Sequence, residues 1–509
     1  MVHSVRRVLP RVGLIVAAVT AIALTTGCGA AVRPRIDSFP ADLATRVDAI
    51  VRSDIDAGLI PGAAVAISDP RHGTFTRAYG VDDVATRHPA DAGDHFRIGS
   101  ITKTFTATAV LRLVDAGELS ADDRLSRYVD GIPHGDTITL RDLLGMRGGV
   151  YDYSTDPEFA SQVRAKPADR AWSIDDALRV IRAHPEKAQP PKVRTVYSNS
   201  EFLLLGLVLE KVTGRPIGAV LDEVVAELGL HRTEYPADAT MPVPSSAGYA
   251  YDGDVLTEVT ARTTPSTFGA AGSMVSTIGD LAIYARALGR GALLKPETFR
   301  LRTQFTPMSG GEYGLGLMRE GSWIGHGGAV LGYLTAVRYL PDRDVAIAVA
   351  INLNTPELTP VFPVNADFIW ADLVAELYPG TVPGLTDGRG ATPPVPSSAV
   401  LTEQLRQTLD PATPPTAKPL HVLGEERDPD LLIKVAHAFT HTTVTVDRVT
   451  DVGRGRMAAA LTLRDPNTTA PMVMMFGDRD GAWRIADTGW MCPLLAAIGD
   501  QSAFCAAGS

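Results

Sequence analysis

Apolar residues at Leu43, Val47 and Ile50 recur at helical spacing and stop near Gly58, which predicts an amphipathic helix. The segments P-G-A-A-V-A-I-S and G-T-F-T-R-A-Y-G follow, and predict two strands joined by a turn at Asp69-Pro70. From about residue 100 to 290 the apolar positions keep helical spacing between loops that contain Pro and Gly. Strands return at L-T-A-V-R-Y-L and V-A-I-A-V-A-I-N around the turn P-D-R-D, and a helix is expected near Asn365–Leu377. Strands at both ends of a long helical stretch imply one shared sheet with a helical region inserted between them. The fold class is therefore α+β.

Residues 380–398 are rich in Pro and Gly without periodicity and read as a linker. Beyond them, residues 399–509 show helical patterns near 399–409 and 430–440. Three strand-like runs follow, and a G-D-R-D-G turn leads into A-W-R-I-A. This second unit is expected to be a small α+β domain of helices on a curved sheet. The first domain is expected to span 43–379.

The N-terminus reads differently. Arg6, Arg7 and Arg11 precede the apolar run Val12–Leu24, and T-T-G-C ends at Cys28. The run is short for the roughly 30 Å of a bilayer core, but it suits the centre of a signal peptide. Residues 1–27 are thus expected to be a signal peptide. The small residues before Cys28 resemble a bacterial lipobox, which implies lipidation of Cys28. Residues 28–42 would then be a tether on the outer face of the cytoplasmic membrane, in the cell envelope. The formal charge is −10, and −13 once residues 1–27 are set aside. That balance argues against nucleic-acid partners. In an oxidising compartment Cys492 and Cys505 are expected to pair, a closure worth about 3 kcal/mol in the loop-entropy picture. The other reading is two buried thiols.

Chemistry enters at F-R-I-G-S-I-T-K. Helical spacing after Ser100, with Gly117 as a stop, puts Ser100 at the start of a buried helix and Lys103 one turn later on the same face. A serine hydroxyl needs a neighbouring base, and a desolvated lysine can serve. A Ser-x-x-Lys pair alone is weak, because chance supplies such pairs. Its company is more telling. Tyr197-Ser198-Asn199 precedes a strongly apolar helix, where Ser198 and Glu201 have capping-box spacing. His326-Gly327-Gly328 precedes the returning strands, where glycines allow close backbone approach. His437 and His441 have i, i+4 spacing but no acidic or Cys partner at ligand spacing. Neither a metal nor another cofactor is called for.

Ser100-x-x-Lys103, Tyr197-x-Asn199 and His326-x-Gly328 occur in the order of the serine β-lactamase and penicillin-binding superfamily. The chain resembles its class C-like branch of D-alanyl-D-alanine carboxypeptidases, β-lactamases and esterases. The resemblance covers about residues 43–378 and implies a β-lactamase/transpeptidase-like domain. It also implies that Ser100 is acylated, with Lys103 and Tyr197 sharing proton transfer. Asn199 would hold the substrate amide, and the third motif, His326 to Gly328, would bind substrate. There His326 would orient a carboxylate or assist proton transfer. The N–H groups of Ser100 and Ala329 would form the oxyanion hole. Two departures stand out. The third motif is H-G-G where class C β-lactamases have K-T-G, and a stretch like L-L-T-H-T-S-G reads L-L-G-M-R-G-G at Leu143–Gly149. The C-terminal unit is similar to small actinobacterial envelope antigens with cystatin- or nuclear-transport-factor-like folds.

The expected activity is that of an exported serine hydrolase on cell-envelope peptides, peptidoglycan among them, or on related small amides and esters, D-alanyl-D-alanine carboxypeptidase-like. Esterase or weak β-lactamase action is the alternative enzyme. An envelope binding protein with an idle pocket is the alternative of another class.

Overall fold

The computed structural model describes residues 39–164, 171–252, 255–308, 311–355, 366–382 and 392–422. In the C-terminal unit it further describes residues 425, 428–453, 455–466, 469–479, 481–486, 491, 495 and 502. Cys28, Cys492 and Cys505 lie outside the described residues, as do the expected signal peptide and most of the tether.

The first domain is built on a nine-stranded sheet. Its principal strands are β1 (Gly62–Asp69), β2 (Gly73–Asp83), β3 (Trp323–Val330), β4 (Tyr333–Leu340) and β5 (Val345–Ile351). They lie in the order β2-β1-β5-β4-β3, and Met318–Glu320, Gly311–Tyr313 and Thr306–Met308 extend the β3 edge. The first and last strands of the domain are therefore neighbours. β1 pairs with β5 from Ala63↔Ile351 to Ser68↔Ala346, the shared sheet expected from the order of elements.

Alternation along β1 and β5 sorts the layers. Ala64, Ala66, Ala346, Ala348 and Ala350 face the large helical core, while Val65, Ile67, Ile347 and Val349 face a second core. Side chains of a strand alternate between faces, so the alanine face lets helix Ile278–Arg290 come close. The bulky face packs on α1 (Ala41–Asp56) and the helix Ala366–Leu377. The helical core holds α2 (Thr102–Ala116) and α3 (Asn199–Thr213), which end at Gly117 and Gly214 with φ of 77° and 65°. A left-handed residue closing a helix is a glycine's place. Ile278–Arg290 is α4 and Ala366–Leu377 is α5.

The C-terminal domain has a five-stranded sheet that includes β6 (Thr443–Gly453), β7 (Arg456–Arg464), β8 (Thr469–Arg479) and β9 (Ala482–Ile485). One face covers α6 (Ser398–Thr408) and α7 (Leu431–Ala438) through Leu401, Leu405, Val435, Met457 and Phe476. The other face, with Val452, Ala458, Val473 and Met475, packs against Leu59 and Phe368 of the first domain. Arg456 Nη2 donates to Asp372 Oδ2 on α5 at 2.8 Å, lies 3.9 Å from Asp54 Oδ1 on α1, and stands 5.6 Å over the Phe368 ring. His437 closes α7 and His441 follows it. Among the described residues no cluster of three His, Cys, Asp or Glu could hold a metal, and no helix is long and apolar enough to cross a membrane.

Candidate active site

Ser100 sits in the short turn Gly99–Ile101 that runs directly into α2. The strand His95–Arg97 just ahead of it pairs with Val275–Thr277, which ties this turn to the loop before α4. Gly99 has φ of 50°, and a Cβ there would fall 2.7 Å from Ala329 N. Only glycine allows that conformation and that approach together. Gly328 is needed from the other side, because its Cβ would strike Ile98 O, which also accepts from Thr335 Oγ1 at 3.1 Å. The turn thus lies flat on β3. The N–H groups of Ile101 and Thr102 bond back to Ile98 O and Gly99 O, so the turn closes the start of α2 while holding Ser100 beside Ala329.

Lys103 is buried in the first turn of α2, three residues after Ser100. Its Nζ lies 2.9 Å from Ser100 Oγ, 2.7 Å from Asn199 Oδ1 and 2.8 Å from Ala271 O. Burial lowers its pKa to about 7, with Asp152 pulling weakly the other way. An ammonium fills all three contacts as donor. A neutral amine can donate only to Asn199 Oδ1 and Ala271 O, which cannot give a proton back, and so its lone pair must face Ser100 Oγ. Asn199 is held in that orientation, since its Nδ2 donates to Ser154 Oγ at 2.9 Å and to Asp152 Oδ2 at 3.3 Å.

Tyr197 closes the site. Its hydroxyl shares a hydrogen bond with Ser100, its ring lies 4.7 Å from Lys103 Nζ, and burial pushes the phenol pKa up. His326 lies on β3 with Nδ1 2.6 Å from Gly327 O and Nε2 3.1 Å from the Tyr313 hydroxyl. A carbonyl only accepts, so Nδ1 carries the proton and Nε2 accepts from Tyr313. Burial, then Lys103, drives the His326 pKa down to about 3. His326 lines the site, but as a neutral ring with both nitrogens engaged. A cavity of about 450 Å³ opens over Ser100 between Tyr197, Asn199, His326, Phe159 and Phe268. Every residue expected at the site meets in this one place.

A model of the beta-lactamase family matches residues 47–366. The chain belongs to the beta-lactamase family. A D-stereospecific amidohydrolase from Streptomyces sp. is 31% identical in sequence. It superposes with a TM-score of 0.56, covering 61% of this chain and 94% of its own. The D-amino acid amidase from Ochrobactrum anthropi SV3, solved with L-phenylalanine amide, is 25% identical with a TM-score of 0.56, covering 62% and 93%. Protein flp of Staphylococcus aureus (strain COL) is 29% identical over 180 residues, so the chain spans about a third, 34%, of that protein's length. Residues 394–502 match the C-terminal domain of low molecular weight antigen MTB12, in line with the envelope-antigen resemblance of that unit.

Within this beta-lactamase-family domain, the capping box expected from Ser198 and Glu201 does not form. Ser198 occupies the cap position of α3, but its hydroxyl donates to Val150 O at 3.0 Å. Glu201 turns instead to the Leu143–Gly149 stretch and accepts the N–H groups of Gly148, Gly149 and Val150, the last at 3.3 Å. Burial pushes its carboxyl well up. The two glycines are what the arrangement needs. A Cβ at Gly148 would lie 2.9 Å from Glu201 Oε1, and Gly149 has φ of 70°. The L-L-G-M-R-G-G departure is therefore a loop clamped on a buried carboxyl. Sequence reasoning also missed Asp152, whose Oδ1 accepts from Ser154 N at 3.0 Å and Ser154 Oγ at 2.8 Å. Burial pushes its carboxyl up. An acid flanked by Tyr151 and Tyr153, just after the glycine pair, was the available signal.

Proposed function

We propose that this chain is a serine acyl-transfer hydrolase that forms an acyl-enzyme at Ser100 and cleaves small amide or peptide substrates of the cell envelope. One observation carries the reading: Lys103 Nζ lies 2.9 Å from Ser100 Oγ while its other two contacts are pure acceptors, so in the neutral amine the lone pair is left for Ser100. Ser100 Oγ attacks the carbonyl carbon while its proton passes to Lys103 Nζ. The oxyanion settles against the Ser100 and Ala329 N–H groups, charge that exists only in the transition state. As the C–N bond breaks, Tyr197 relays the proton from Lys103 to the leaving nitrogen. Water then attacks the ester, gives a proton to the same pair, and leaves the carboxylic acid and free Ser100. Asn199 positions the substrate amide and keeps Lys103 aimed.

The two solved relatives, a D-stereospecific amidohydrolase and a D-amino acid amidase, support D-configured amides as the substrate class. D-Alanyl-D-alanine carboxypeptidase action is one form of this reading. Esters and β-lactams would acylate the same serine, so esterase or weak β-lactamase action is the second reading, favoured by the apolar Phe159 and Phe268 walls. The N-terminal pattern supports export and anchoring through Cys28 at the outer face of the membrane.

A fluorophosphonate probe read by intact mass tests the proposal. Wild type should gain one adduct and Ser100→Ala none. If wild type stays unlabelled while a control hydrolase reacts, the chain is an idle binding protein. Turnover of a D-amino acid amide, a D-alanyl-D-alanine peptide, a chromogenic cephalosporin and a short ester then ranks the substrates.

A further inference from the structure

The cavity over Ser100 does not end at His326. It continues past Gly327 to Arg338 on β4 and Asp367 on α5. Gly327 opens this route, since a Cβ there would lie 3.2 Å from Asp367 Oδ2. A substrate lying along β3 beyond Gly325, where the pairing with Met318–Glu320 ends, sends groups to alternate faces of the sheet. Those directed to the α5 side meet Asp367.

The charges along this route decide what it can hold. Arg338 is the one cationic side chain among the described residues lining the cavity whose charge could meet an anion, but its side chain is only 4% exposed. Both terminal nitrogens of its guanidinium are engaged: Nη2 lies 3.1 Å from Asp367 Oδ1, Nη1 donates to Val337 O at 3.3 Å, and the group stands 5.4 Å over the Trp370 ring, with only the buried Nε–H left without a hydrogen bond. Glu320, close enough to feel both, adds a second carboxyl to the same guanidinium. Lys103 is sealed behind Ser100, and His326 is neutral. The acidic group that does reach the cavity is Asp367, whose side chain is 34% exposed; burial pushes its carboxyl up, and the Arg338 guanidinium at 3.1 Å pulls it back toward the charged form. A carboxylate there accepts hydrogen bonds and repels anions.

Resting on the acyl-transfer reading, we propose that Asp367 and Gly327 form a specificity subsite that takes an N–H donor, a carboxamide or an ammonium group, and rejects a free carboxylate. The enzyme is then an amidase of D-configured amides rather than a carboxypeptidase. Arg338 fixes the Asp367 carboxylate in place, and Gly327 keeps the way to it clear.

The test reads binding, so that it does not depend on acylation. The full chain carrying Ser100→Ala is titrated by calorimetry with N-acetyl-D-alanyl-D-alanine and with its C-terminal amide. The amide should bind at least about tenfold tighter, and adding Asp367→Asn should bring the two within about threefold, mainly by admitting the acid. Equal or tighter binding of the acid to the Ser100→Ala protein overturns the proposal. So does a preference that survives Asp367→Asn unchanged. The first comparison needs no altered Asp367, so the proposal remains falsifiable if Asp367→Asn fails to fold. Failure of the fluorophosphonate label would instead sink the acyl-transfer reading and leave these two ratios readable.

Discussion

Lys103 Nζ lies 2.7 Å from Asn199 Oδ1, an acceptor with no proton to return, and this pair aims the lysine's free valence at Ser100. With a pKa of about 7, the amine is half neutral near physiological pH. Because the neutral form is the base, kcat/KM should rise with pH and level off above about 7. Lys103→Arg cannot deprotonate in this range and should lose about 10²- to 10⁴-fold. A pH–rate profile that falls through pH 7, or Lys103→Arg activity within tenfold of wild type, would contradict this assignment.

The same burial has a cost in stability with a definite sign. The folded pKa lies below the unfolded value of about 10.4, so the unfolded chain binds more protons between roughly pH 7 and 10.4. The penalty from Lys103 is full below pH 7 and fades as pH rises to 10.4. Lys103→Met should therefore gain stability relative to wild type most at pH 6 and least at pH 10, as read by urea unfolding at each pH.

His326 offers a contrasting titration. Its pKa of about 3 in the folded chain leaves it neutral through the working range. Its ring resonances, assigned by difference against His326→Gln, should not move between pH 5 and 8. Stability from this group is present above about 6.5 and is lost as pH falls toward 3. A midpoint near 6.5 in the folded protein would refute the neutral tautomer.

Gly148 tests the clamp on Glu201. Gly148→Ala places a methyl 2.8 Å from Leu143 Cδ2 and 2.9 Å from Glu201 Oε1. Overpacking of this kind costs about 1–3 kcal/mol, and thermal melts should show it. Since Asp152 and Ser154 follow that loop and hold Asn199, fluorophosphonate labelling should slow as well. A variant as stable and as reactive as wild type would remove the clamp from the account.

Arg456 joins the two domains through Asp372 and Asp54. Arg456→Ala leaves two acids in a mostly buried interface, an arrangement that costs roughly 3 kcal/mol when one partner of a buried pair is removed. Urea unfolding should show the loss in the full chain. A change under about 1 kcal/mol would mean that the domains are only loosely joined.

Much of this was legible in residue order. The short apolar runs that became β1, β4 and β5 are bounded by turn residues and are buried throughout, and Ser100–Lys103 is a local relationship within one helical turn. The meeting of Tyr197, Asn199 and His326 with that pair could be read only through resemblance, because nothing local joins residues so distant in the chain. Ser198 and Glu201 show where spacing misleads. Their separation fits a capping box, but the tertiary fold offered Glu201 three N–H groups from the Gly148–Val150 loop and Ser198 a carbonyl. Asp152 had only its place between two tyrosines after the glycine pair to mark it, and Asp367 carries no pattern of its own, so that only the folded cavity singles it out.

The contact of Gly99 with Ala329 also bears on when this chain becomes chemically dangerous. Ser100 and Lys103 stand together once α2 forms, but Asn199 and Ala271, which aim Lys103, and Ala329, which faces the Ser100 turn, are all made later in the chain. On the acyl-transfer reading proposed above, a chain that stops short of β3 would hold the serine without the groups that make it reactive, so reactivity toward amides should arrive only with the finished domain.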